Sequence, residues 1–382
     1  MMYDPRGRRV AVLLGLVLPF LVVGPAAGQV RLQDLVFTGG VSVESYEGNL
    51  SAVTVPVIDS TDRASAAAGE FGAHGELRLL ESSGTPWDRY LSVEFDAGFR
   101  QFAAAGFELR DYAPREWVGR LDLSWWQRLG GVGLVTAAGT FRGRTVADRT
   151  PMPLFLQPGY ATARGALVFQ TYEIEGVSLE MSIDAESMDY QSVSLLSQLD
   201  LLDRRSKGFE VGALANRESW RMRFYGGARS TEYHRQDSFD PEDPFRRDRT
   251  LHMGALWVLN LAAVEAELGV EGTLNRSNSQ RPEYDAVSGR AAVHAPLPFW
   301  DLGLHLYTVL TGKTYVHDSP FVRLVPGEEA DNASVAYIAL DRPIVRNLGA
   351  TVRFGWARAE TDVGNSYYSR FGTSFLLNYR PS

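Results

Sequence analysis

The sequence predicts an all-β chain: a closed antiparallel transmembrane β-barrel of about sixteen strands, preceded by a cleaved signal peptide. Three observations predict it. The N-terminus has the make-up of an export signal, the remaining chain alternates apolar and polar residues again and again, and the connections between alternating stretches are short and long in turn.

Residues 1–28 form the signal. Arg6, Arg8 and Arg9 give a positive start, Val10 to Val23 an apolar run, and Gly24-Pro25 a break; Ala26-Ala27-Gly28 then offers small residues for cleavage before Gln29. The apolar run is shorter than the ~20 residues a spanning helix needs. No cysteine follows it for lipid attachment. Residues 29–382 are therefore expected outside the cytoplasm of a bacterium, as one barrel without a second domain.

Strands are expected over 34–47, 67–81, 88–102, 115–128, 131–143, 159–173, 176–187, 207–216, 219–232, 248–260, 263–275, 284–296, 299–313, 333–341, 346–359 and 366–380. In 88–102, Leu91, Val93, Phe95, Ala97 and Phe99 alternate with Ser92, Glu94, Asp96 and Gly98. In 219–232, Trp220, Met222 and Phe224 alternate with Arg221, Arg223 and Tyr225. In 263–275, Val264, Ala266, Leu268, Val270 and Leu274 share one face, opposite Glu265, Glu267, Glu271 and Thr273. Period two with one apolar face is the mark of a strand whose two sides meet different surroundings. Only 131–143 and 333–341 do not sort cleanly into two faces. No helical period of useful length follows residue 29.

Short connections such as Arg217-Glu218, Leu261-Ala262 and Leu297-Pro298 alternate with long ones at 48–66, 144–158, 188–206, 233–247, 276–283 and 314–332. A soluble β-sandwich also alternates apolar and polar residues, but its strands cluster near ~5–6 residues. A strand tilted by ~45° needs ~9–11 residues to cross a bilayer. Trp117 and Trp125 bracket one apolar face. At ~3.3 Å per residue and ~40° tilt they stand about 20 Å apart in height, close to the ~25 Å apolar band of a membrane barrel. Lipid cannot hydrogen-bond a backbone, so a spanning sheet has to close on itself.

The chain ends on a strand in which Arg370, Gly372, Phe375 and Leu377 stand in the order polar, any, Gly, any, any, apolar, any, apolar, followed by Tyr379 and then Arg380-Pro381-Ser382. In this the chain resembles the outer-membrane β-barrel proteins of bacteria. The resemblance implies that Gly372, Phe375, Leu377 and Tyr379 form a signal read by the barrel-assembly machinery, although the aromatic is not the last residue here. It implies contact with outer-membrane lipid and lipopolysaccharide, with both termini in the periplasm.

If the apolar parity faces lipid, the other parity lines the interior. That places Arg221, Arg223, Tyr225 and Arg229 on one inner wall, and Glu265, Glu267 and Glu271 two strands on. Glu180, Asp184, Glu210, Arg290, Arg353, His74, His252, His294 and His305 share the inward parity. Two readings follow: these charges orient polar solutes in a water-filled pore, or they pair across neighbouring strands and brace or plug the interior. Met152, Leu154, Phe155 and Leu156 make the centre of the long connection 144–159 apolar. The loop at that place in sixteen-stranded porins folds inward, so these residues are constriction candidates; an outer loop touching lipopolysaccharide or a neighbouring subunit is the alternative.

Composition narrows the function classes. A net charge of −8 disfavours a nucleic-acid partner. The absence of cysteine excludes disulfides, thiolate zinc sites and cysteine nucleophiles. No phosphate-binding glycine loop or metal-ligand pair is evident, so no cofactor and no metal are expected. Enzymes exist among such barrels. Lipid-modifying ones place Ser and His on the lipid side, where no strand histidine falls here, and protease-like ones place Asp and His at the outer rim, where His234 lies near Asp237, Asp240 and Asp243. The expectation is no enzyme but a passive, porin-like channel for small polar solutes, with a non-conducting barrel for envelope assembly, polymer export or adhesion as the alternative. Homo-oligomerisation stays open.

Overall fold

The computed structural model describes residues 31–48, 63–79, 89–105, 115–147, 159–191, 199–238, 241–279, 283–317, 334–360 and 367–381. They form sixteen strands: β1 (Arg31–Gly48), β2 (Arg63–Leu79), β3 (Arg89–Ala105), β4 (Arg115–Leu129), β5 (Gly133–Ala147), β6 (Tyr160–Thr171), β7 (Val177–Tyr190), β8 (Arg204–Asn216), β9 (Trp220–Asp237), β10 (Phe245–Leu261), β11 (Val264–Ser277), β12 (Tyr284–Pro296), β13 (Gly303–Tyr315), β14 (Ser334–Val345), β15 (Leu348–Glu360) and β16 (Tyr367–Tyr379). Each pairs antiparallel with its sequence neighbours, and β16 pairs with β1, so the sheet is a closed barrel. A 3-10 turn, Leu199–Leu202, precedes β8.

The two parities meet different surroundings. Outward side chains are apolar and bare: Val270 is 54%, Ile183 59%, Val287 62% and Met253 71% exposed. Inward side chains are polar and covered, among them Ser42, Glu44, Glu116, Ser206, Thr231 and Asn275. A water-soluble protein buries the first kind and shows the second. The signal, residues 1–28, and the constriction candidates Met152, Leu154, Phe155 and Leu156 lie outside the described residues.

The barrel closes along Phe37↔Tyr379 to Gly48↔Tyr368. Gly40 is required there. A Cβ at this position would meet the Phe375 carbonyl oxygen at 2.1 Å and the Leu376 side chain at 2.9 Å. Without it, Leu376 lies buried on the inner side of the seam. Phe371, Phe375, Leu377 and Tyr379, on the other parity of β16, are exposed on the outside.

Two expectations need correction. The connection expected at 233–247 is shorter, because β9 runs to Asp237 and β10 begins at Phe245. His234 is therefore a strand residue and not a loop residue. The stretch lacks an apolar face, which hid it, but Arg246 donates to both Gln236 and Asp248 and so braces the hairpin. The stretch 48–66 is likewise shorter, since β2 starts at Arg63. The two poorly sorted stretches form strands, as expected. On the outward side of β5, Ala137 and Gly139 interrupt the apolar face between Val135 and Phe141, and β14 carries Pro343 with a register shift between Pro343 and Val345.

Candidate functional site on the inner wall

Strand pleat and barrel curvature together build this wall. Alternate residues point inward, and the concave side brings long side chains from strands two apart within reach of one another. Two charged clusters result.

The first centres on Arg100 of β3. Its guanidinium bonds Glu44 of β1, Glu70 of β2 (3.1 Å from Nε) and Ser42 (3.1 Å), and lies 3.6 Å from Glu116 of β4. Arg144 of β5 pairs with the other oxygen of Glu116 at 2.7 Å. Arg353 of β15 reaches Glu70 at 3.9 Å. Of this cluster, sequence parity had singled out Arg353 alone. Glu44, Glu70, Arg100, Glu116 and Arg144 all have the inward parity, but their convergence depends on register across β1 to β5.

The second cluster runs from β6 to β12. Arg223 bonds both Glu180 and Glu210, and lies 4.7 Å from the centre of the Tyr225 ring. His252 Nε2 lies 3.0 Å from the other Glu210 oxygen. Tyr225 donates to Glu271 at 2.8 Å, and Arg229 donates to Asp184 at 2.7 Å, with Arg164 3.5 Å from the same carboxylate oxygen. Glu267 pairs with Arg290 at 3.1 Å. Of the expected inner-wall residues, Arg223, Tyr225 and Glu271 thus meet in one connected group, with the Arg229–Asp184 and Glu267–Arg290 pairs beside it. Arg221 and Glu265 stand on the same parity without joining it. Glu265 is opposite His294 in register. His294 meets His305 edge to face at 4.1 Å, and His305 Nε2 lies 2.8 Å from Asp341. Most of these charges are paired across strands, as the bracing reading expects.

A feature that sequence reasoning missed sits where β7, β9 and β10 reach the long-connection end. Met188 and Tyr190, both inward, pack on Leu202 of the 3-10 turn, which is 1% exposed. Asp203 accepts a hydrogen bond from the Tyr190 amide at 2.7 Å, and Gln236 donates to the Leu201 carbonyl at 2.6 Å. Arg246 stacks over Tyr233 at 4.2 Å and is bidentate to Asp248. The segment before β8 is therefore clamped onto the inner face of the rim. The signal was slight: "LDLL" is an apolar patch inside a polar connection. Leu202→Asp is expected to release the clamp. Losing such a buried side chain costs ~2–5 kcal/mol, so trypsin should cut at Arg204 and Arg205 more than about tenfold faster in the otherwise folded barrel. Unchanged cleavage would mean that the turn is held by something else.

A cavity of about 490 Å³ lies at the short-turn end, lined by Trp126, Arg128, Gln170, Tyr172 and Asn216 among others. Among the described residues one group, His74, Glu94 and Asp96, brings three metal-type donor atoms within 4.8 Å of one another. Of the rim residues considered for proteolysis, His234 Nδ1 lies 3.4 Å from Glu232, and Asp243 pairs with Arg247 at 3.0 Å. Asp240 lies outside the described residues.

No protein-family model and no curated protein matches the chain. Solved structures that it resembles include in-vitro folded OmpT, an outer membrane protein of Vibrio cholerae, at 8% identity and a TM-score of 0.40, over 94% of this chain and 99% of that one. They include Salmonella typhi OmpF in complex with daunomycin, at 11% identity and a TM-score of 0.43, over 90% of this chain and 97% of that one. Pseudomonas aeruginosa OccK7 follows at 9% identity and a TM-score of 0.41, over 94% and 99%. At these values the likeness assigns the chain to no specific subfamily of bacterial outer-membrane β-barrels.

Proposed function

We propose that the chain is an integral protein of the bacterial outer membrane and a passive, porin-like channel for small polar solutes. One observation carries the reading: a closed sixteen-stranded cylinder with an apolar outer face and a charged inner face. Only a solvent that is apolar outside the sheet stabilises the first face, and only water or paired charge stabilises the second. A barrel of this strand number is wide enough for an aqueous channel. Residues 1–28 would direct export, the short connections would face the periplasm with both termini, and the long ones would face outward. The role needs no catalytic group and no cofactor.

The second reading is a non-conducting barrel for envelope assembly, polymer export or adhesion. The cross-strand pairing of the inner charges and the rim clamp at Leu202 favour it. Conductance of the purified protein in a planar bilayer separates the two. The channel reading expects discrete steps at low voltage. A trace closed at every voltage would leave only the second reading.

A further inference from the structure

We propose that His74, Glu94 and Asp96 form a binding site for a divalent first-row transition-metal ion on the inner wall. His74 of β2 and Asp96 of β3 are directly opposite in register, and His74 Nδ1 lies 2.8 Å from Asp96 Oδ1. One ligand atom from each of the three residues lies within 4.8 Å of the other two. Two bonds of ~2.0–2.2 Å to one ion bring donors to about 4 Å or less, so a small side-chain rotation completes the set.

The neighbouring rung supplies an independent reason for a cation. Glu76 of β2, Glu94 of β3 and Asp122 of β4 are directly opposite one another in register. Like charges so placed repel. The outer two are relieved: Arg78 lies 3.3 Å from Glu76, and Arg120 pairs with Asp122. Glu94, between them, has no ion pair among the described residues. It is therefore a carboxylate held between two others, beside an imidazole that already touches a further carboxylate. A divalent cation joining Glu94, Asp96 and His74 removes that repulsion and leaves coordination positions for water. The imidazole decides the class. Mixed nitrogen and carboxylate donors suit zinc, manganese and their neighbours, whereas magnesium and calcium prefer oxygen alone.

The test is an equilibrium titration of the metal-free, full-length protein folded in detergent, which reads binding whether or not the barrel conducts. Calorimetry with zinc chloride is expected to show one site per chain, and magnesium chloride none. His74→Ala and Glu94→Gln should each weaken zinc binding at least ~10-fold, the lower end of what even an outer-sphere partner is worth. His294→Ala, which alters the separate histidine pair, should leave it unchanged. A second readout guards against misfolding. Without metal, Glu94→Gln should unfold at a higher temperature than the wild type, because the repulsion is gone; zinc should raise the wild-type midpoint and not that of the variant. Absence of zinc binding, binding that survives His74→Ala, or binding lost with His294→Ala would overturn the proposal. Equal binding of magnesium would overturn the transition-metal assignment.

Discussion

Val270→Arg is expected to abolish insertion of the barrel into lipid vesicles, while Glu271→Lys inserts. Val270 is 54% exposed on the outer face of β11, flanked on that face by Leu268 and Leu274. It lies near the middle of a strand spanning Val264–Ser277. An arginine at the midplane of a membrane barrel costs ~2–4 kcal/mol, a large share of the ~5–15 kcal/mol by which folded proteins are stable. The neighbouring Glu271 has the opposite parity and accepts from Tyr225 at 2.8 Å. Lysine there forfeits one hydrogen bond and adds charge to a wall that already carries charge. Insertion is read as the shift in gel mobility between unheated and boiled samples. If Glu271→Lys failed and Val270→Arg inserted, inside and outside would be reversed for this strand.

Arg100→Met is expected to be the most damaging change on the inner wall. Arg100 touches Glu44 and Glu70 and lies 3.6 Å from Glu116, with only 20% of its side chain exposed. Removing one partner of a covered ion pair costs ~3–5 kcal/mol, because the remaining charges keep their desolvation without their attraction. Arg144 still serves Glu116, and Arg353 stands 3.9 Å from Glu70, whereas Glu44 loses its bond to the Arg100 guanidinium. The double variant Arg100→Met with Glu44→Gln should regain part of the loss. Urea unfolding in vesicles, followed by tryptophan fluorescence, measures both. A single variant as stable as the wild type would show the cluster to be ornamental, and no regain in the double variant would assign the loss to packing.

The strands were legible because their two faces differ. β3, β9 and β11 each alternate so regularly that parity alone separates outward Phe224 and Val270 from inward Arg223 and Glu271. Connection lengths then told the two ends of the barrel apart. What parity does not carry is register. Glu44 and Arg100 are 56 residues apart, and nothing local in either stretch announces that they meet. His74 and Asp96, 22 residues apart, become opposite only once β2 and β3 are aligned. The same limit explains why individual inward charges were named but their partners were not. Apolar alternation also fails where a strand rises beyond the apolar band, as at His234–Asp237, whose ladder is held by polar inner residues instead.

Thr38 and Asn378, 3.0 Å apart across the closing seam, are separated by 340 residues of chain. Sealing the cylinder is therefore the last event that its own order of synthesis permits. Until the final strand has been delivered, β1 presents an unpaired flank, and such a flank recruits other chains. The strand that carries Gly372 and Phe375 is thus the one that ends the exposure, because it covers that flank from Phe37 to Gly48.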